Sequence, residues 1–194
     1  MNNMNKTFAN SETLGYACFF IIGWLISMVY AGWFSLPILH KGVILIMILG
    51  GVILAIAGIF SYFDGNTLNT SLFLVFGAFL FSLSLTSIMY SGSSVDMFSG
   101  FSAWIFIVFA VFVLYLWIAS FGGGIIQNLF LLGLWLTLLA LAIANWTSSG
   151  FVRIVGGYIG LVTSLLAGYL SAVSIGVGNF TKRNSTTTGE TTAN

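Results

Sequence analysis

The side chains able to do bond-making chemistry are few and widely separated. The chain of 194 residues holds four carboxylates, Glu12, Asp64, Asp96 and Glu190, with one imidazole, His40, and one thiol, Cys18. A structural or catalytic metal site takes three or four such ligands, and a bis-histidine haem takes two histidines. Neither set is available, so no metal, no cofactor and no enzyme activity is expected. His40 stands beside Lys41 in a loop. Cys18 has no second cysteine to pair with and reads as a small buried apolar side chain. What remains inside the apolar runs is Ser, Thr, Tyr and Asn, which make hydrogen-bonding linings and poor catalysts. That inventory suits a path for something small and weakly polar.

Those polar residues must be positioned by elements of an unusual kind. The chain is 59% hydrophobic and only 5% charged, against about a quarter charged in soluble domains. No polar face exists to cover a water-soluble core, and a net charge of +1 gives no basis for a nucleic-acid partner. The partner implied is a lipid bilayer. One crossing takes roughly 20 apolar residues as a helix, and six runs meet that length, at about 14–34, 42–62, 69–90, 99–120, 126–146 and 151–178. Short breaks with turn chemistry separate them: Ser35 to Lys41 around Pro37, Asp64-Gly65-Asn66, Ser91 to Ser94, Gly122 to Gly124, and Ser148-Ser149-Gly150. No alternating ten-residue pattern marks barrel strands. The expected fold is an all-α membrane protein, a six-helix bundle over residues 14–178. A polar segment, 1–13, precedes it and a disordered Thr/Ser/Asn-rich tail, 179–194, follows it.

The charges fall in termini, loops and helix ends, since a charge at mid-bilayer costs at least about 3 kcal/mol. Trp33, Trp104 and Trp146 lie near span ends as an aromatic belt would, whereas Trp24 and Trp135 lie deep. Six spans put both termini on one face. Lys6, Lys182 and Arg183 on that face, against Lys41 and Arg153 opposite, place the termini in the cytoplasm, with the protein in the plasma membrane. No cleavable signal peptide is expected, because the first apolar run is too long. In the last span Gly156, Gly160, Ser164, Gly168, Ala172 and Gly176 recur every fourth residue. Such a ridge admits a close helix neighbour, within one protomer more readily than as a pore lining.

The stretch from residue 50 to 67, GGVILAIAGIFSYFDGNT, resembles the second-span signature of the acetate uptake transporter family, also called succinate–acetate permeases. The residues carrying the resemblance are Gly50-Gly51, Ala57-Gly58, Tyr62 and Gly65-Asn66-Thr67. NSETLG at 10–15 is similar to the N-P-A-P-L-G motif ahead of the first span, keeping Asn10, Leu14 and Gly15. Ser11 and Thr13 stand there in place of both prolines, and Glu12 in place of a small residue. AIAN at 142–145 and GYIGLVTSLLAGYLS at 157–171 are similar to the ends of the fifth span and to the sixth.

The resemblance implies a narrow path in each protomer of a homohexameric ring, for small monocarboxylic acids with acetate foremost. It implies a constriction of Phe19, Phe76 and Leu134, Phe76 standing where the family has a tyrosine. Ala167 falls where side-chain size affects which acid passes. Asn66 and Asn145 are expected at span ends, as caps or stops or as vestibule amides donating to a carboxylate, with Thr67 beside Asn66 at the mouth of the path. With no cation inside, the neutral acid crosses far more cheaply than the anion, so uptake is expected to rise at low pH. The alternatives are a channel for a small neutral solute such as urea, and a non-conducting assembly subunit.

Overall fold

Inside a bilayer every backbone N–H and C=O must find its partner within the protein, which leaves long apolar runs no choice but the helix. The computed structural model describes residues 11–35, 38, 42–89 and 101–176, and among them there is no strand. Six helices are long and apolar enough to cross a membrane. They are α1 (Ser11–Tyr30), α2 (Val43–Phe63), α3 (Thr67–Met89), α4 (Phe101–Ala119), α5 (Ile125–Thr147) and α6 (Gly150–Ser174). A 3₁₀ turn, Ser120–Gly122, extends α4. Pro37, His40, Lys41, Asp96, Asn10 and the tail lie outside the described residues.

The helices pack as a ring in chain order. Each touches its successor, and α6 closes on α1 through one of the two most extensive contacts, the other being between α2 and α3. The α3–α4 seam is the lightest of the six. The chain therefore runs up and down around a centre. The starts of α1, α3 and α5 and the ends of α2, α4 and α6 share one face, here the terminal face; the other is the far face.

Glycines set how closely the ring is drawn. Gly157 on α6 lies directly on the backbone of Tyr30 and Ala31, with no room for a Cβ, and a Cβ on Gly168 would stand 3.0 Å from the Phe20 ring. On the other side Gly77 of α3 faces the α2 backbone, where a Cβ would meet the Ala55 nitrogen at 2.8 Å. Opposite it, Ile46–Ile53 of α2 is wound as a π-helix, a wider winding found mostly at single turns and often near functional sites. Gly50 and Gly51 sit in that segment, buried against Leu80 and Phe81.

Two reversals are tight. Gly65, at φ +74°, ends α2 and lets α3 start two residues later; the left-handed backbone costs glycine nothing. Ser148, at φ 50°, ends α5, and the Ser149 hydroxyl then accepts the Val152 N–H at 3.5 Å to start α6. The first helix begins at Ser11, three residues ahead of the expected run, because the polar side chains of its first turn are hydrogen-bonded.

The Gly157 contact gives a test of the α1–α6 seam. Gly157→Ala inserts a methyl against backbone, and overpacking of this kind costs typically about 1–3 kcal/mol. Thermal unfolding in detergent is expected to show a clear loss for Gly157→Ala and none for Gly122→Ala, whose Cβ would meet nothing within 4 Å. Equal midpoints for the two would show that the seam is looser than described.

Candidate functional site

A cavity of about 490 Å³ occupies the centre of the ring, lined from all six helices. It begins at Phe19, Phe76, Phe130 and Leu134 near mid-membrane and extends to Tyr30, Val43, Ser84 and Asn145 toward the far face. None of the described residues lining it is charged. Its polar positions include Ser27, Thr137, Thr163 and Ser164. Three of these hydroxyls donate back to their own helices: Thr137 to the Gly133 carbonyl, Thr163 to Ile159 and Ser164 to Gly160, each at 2.8 Å. With the proton so engaged, each hydroxyl has lone pairs left to accept a hydrogen bond.

Toward the terminal face an aromatic layer closes the ring. Phe19 packs edge-on against Phe76 and Phe130, ring centroids 5.3 and 5.5 Å apart. Behind them Tyr16 meets Phe73 and Phe130 edge-on at 5.3 and 5.6 Å. Such edge-to-face pairs are the favoured aromatic geometry. Gly15 makes the layer possible, since any Cβ there would fall on the Phe73 ring. All five aromatics are buried.

Beyond that layer lies a polar network. The Tyr16 hydroxyl donates to Asn69 Oδ1 at 2.9 Å, and Gln127 Nε2 reaches both, at 3.0 Å to Tyr16 and 3.1 Å to Asn69. Asn69 is buried at 1% exposure, so leaving its amide unmet would be costly. Its Nδ2 donates to Glu12 Oε1 at 2.9 Å, and Asn66 Nδ2 donates to the same oxygen at 2.7 Å. Ser11 donates to Asp64 Oδ2 at 2.6 Å and lies 3.1 Å from the buried Ser61 hydroxyl. The start of α1 and two reversals of the chain thus meet at one face. On the far face the Arg153 Nε is buried with no hydrogen-bond partner among the described residues.

The residues singled out from the sequence divide among these places. Phe19 comes eight residues after Ser11, Phe76 nine after Thr67 and Leu134 nine after Ile125. At 1.5 Å per residue all three lie about 12–14 Å in from the terminal face, on one level. All three line the cavity, as does Asn145. Ala167 is fully buried in the apolar core and does not border the cavity. Leu14 and Thr67 are exposed, and Gly15 seats Phe73.

Asn66 is not a stop for the second helix. Gly65 does that work, and the Asn66 side chain accepts the Asn69 N–H at 3.1 Å, capping the start of α3. Asn145 sits in the last turn of α5 and donates to the Leu141 carbonyl at 2.7 Å. The small-residue ridge of α6 serves two purposes. Gly156 packs on Ala140 and Gly168 on Phe20, while Gly160 and Ser164 also border the cavity.

Glu12 and Asn69 carry the network, and Tyr16, Phe73 and Phe130 the layer, without having been singled out as site residues. Asn69 has a signal, because it follows Asn66 by three and shares its helical face. Gln127 has one too, as an amide at the edge of an apolar span. Phe73 and Phe130 have none in a chain with 19 phenylalanines.

Six apolar helices ringed about a central cavity define an integral membrane protein with the architecture of a channel or transporter. The sequence profile of the GPR1/FUN34/yaaH family matches residues 1–192, and the chain belongs to that family, the acetate transporter family that the second-span signature resembles. The solved structure of the bacterial acetate channel SatP superimposes with a TM-score of 0.82 at 24% identity, covering 90% of this chain and 96% of that one. At that identity the likeness establishes the fold. The chain matches no curated protein.

Proposed function

We propose that the protein is a channel or transporter for small monocarboxylic acids, acetate foremost, and that the species crossing the aromatic layer is the protonated acid. The family and the shared fold with an acetate channel support the solute class. One observation carries the mechanism: the cavity ends on Phe19, Phe76, Phe130 and Leu134, with no charged side chain among the described residues lining it. An anion entering that layer loses its hydration with nothing to replace it, and an unpaired charge in an apolar medium is prohibitively costly. The acid has an O–H to donate, and Thr137, Thr163 and Ser164 hold lone pairs ready to accept it. Phe19, Phe76 and Leu134 act as the constriction, and Asn145 as an amide at the far-face mouth.

Carboxylic acids titrate near pH 4 to 5, so above that range the neutral fraction falls about tenfold per pH unit. Uptake of labelled acetate into proteoliposomes, corrected for bilayer leak, is expected to be much faster at about pH 5 than at about pH 7.5. Equal rates would refute passage of the neutral acid. Urea swelling faster than acetate entry would refute the solute class.

Leu134 is half-buried and packs against the core rather than within it, so trimming it should spare the fold. Leu134→Ala is expected to raise the ratio of lactate to acetate flux several-fold, with acetate flux kept or raised. An unchanged ratio in a folded variant would remove Leu134 from the constriction.

The family resemblance also implies six copies about an axis. The exterior of α6 carries Tyr158, Val162, Leu165 and Tyr169, all exposed on the single chain, and suits either lipid or a second copy. Native mass measurement in mild detergent is expected to give a homohexamer. A monomer that conducts at the full rate would refute the need for assembly.

A further inference from the structure

Two side-chain amides converge on one oxygen at the terminal face. Asn66 Nδ2 stands 2.7 Å and Asn69 Nδ2 2.9 Å from Glu12 Oε1. Charge-assisted bonds of this length are the strong kind. The geometry is built from three directions. The Asn66 carbonyl oxygen is engaged by the Asn69 N–H at the start of α3, which turns its amide nitrogen outward to donate. The Asn69 oxygen is engaged by Tyr16 and Gln127, which turns its nitrogen the same way. Neither amide can flip without breaking those bonds, so both are held as donors. Two fixed donors on one oxygen are a receptor for a carboxylate.

We propose that Asn66 and Asn69 form a carboxylate-binding site at the terminal-face mouth, and that the chain's own Glu12 occupies it as a tethered competitor. The side chain is in the first turn of α1, a place where a negative charge is favoured by the helix dipole. It satisfies both amides without a solute and keeps a free carboxylate from taking them. A second carboxylate, Asp64, held by Ser11 at 2.6 Å, adds negative charge to the same face. Glu12 is thereby a specificity-determining residue: it turns a mouth able to hold small carboxylates into one that holds none. This consequence for transport rests on the reading of the terminal face as a mouth of the path, but the site itself does not.

Removing the tether empties the site. Purified Glu12→Ala is expected to have a lower unfolding midpoint than the parent, and acetate to raise it saturably by about 2–4 °C over chloride at equal ionic strength. The parent should show no such shift. Glu12→Ser, which keeps a short polar side chain in the first turn, carries the same comparison if the alanine variant does not survive extraction. Adding Asn66→Asp to either variant keeps the cap oxygen and replaces a donor with a charge, and should abolish the acetate effect. Acetate shifting neither variant, or shifting parent and variants equally, or shifting the Asn66→Asp double variants as well, would each overturn the proposal. Because the readout is equilibrium stability, failure of the parent to transport acetate would count against the proposed function and leave this result standing.

Discussion

A donor or acceptor left unmet in hydrocarbon costs several kcal/mol, with no water to make good the loss, and this requirement decides where nearly every polar side chain of the ring goes. Thr137, Thr163 and Ser164 turn their protons onto the carbonyls of their own helices. Ser171 crosses from α6 to the Thr13 carbonyl of α1 at 2.9 Å. Tyr16, Asn69 and Gln127 satisfy one another. The polar bonds that tie α1, α2, α3, α5 and α6 together at the terminal face lie near the helix ends, where such bonds can be completed. Between those ends, contact is left to small residues and rings.

The two halves of the ring solve that contact in opposite ways. Toward the terminal face the centre is filled by bulky aromatics, with Gly15 giving space to Phe73. Toward the far face the α1 and α6 walls of the cavity carry small residues, among them Gly23, Ser27, Gly160 and Ser164, while Tyr30, Phe79 and Phe106 also line it. A Cβ on Gly23 would come within 2.6 Å of the Ser164 hydroxyl, so α1 and α6 are as close there as they can be. The space that remains is a property of what these residues lack. On the opposite wall, the π-wound segment of α2 places Ile46 and Gly50 on the cavity while Gly51 is buried against α3. Such a segment displaces the helical register locally, which is one way to bring two adjacent glycines to use.

Much of this was legible in the amino-acid sequence, and the limits have physical causes. Six apolar runs separated by Gly, Ser and Asn turns specify six spans, because hydropathy over about 20 residues is a strong signal. Phe19, Phe76 and Leu134 come to one level because their offsets from three turns on the same face are nearly equal. Asn66 was harder, since an amide beside a turn serves as well to stop one helix as to start the next; the fixed point is Gly65. The network escaped because the bonds between its helices join residues fifty or more positions apart, Tyr16 and Gln127 by 111, and no window along the chain sees such pairs. Glu12 was visible only as a charge out of place. Its meaning depends on two amides brought in by α3.

The distribution of donors and acceptors makes the ring directional. On the terminal face the donor groups of Asn66 and Asn69 are engaged by the protein's own carboxylate. On the far side of the aromatic layer the three back-bonded hydroxyls belong to residues that line the cavity. On the proposed reading, a carboxylate approaching from the terminal face meets Glu12 and Asp64 first, and one already in the cavity meets an apolar layer that strips its water. A neutral acid meets acceptors able to take its proton in a hydrogen bond, and a layer whose cost to it is mainly that of leaving those bonds. On the proposed reading, selection between the two forms needs no charged gate. It would follow from closing one end of the cavity with aromatics, back-bonding the hydroxyls of Thr137, Thr163 and Ser164, and committing the amides of Asn66 and Asn69 to a residue of the same chain.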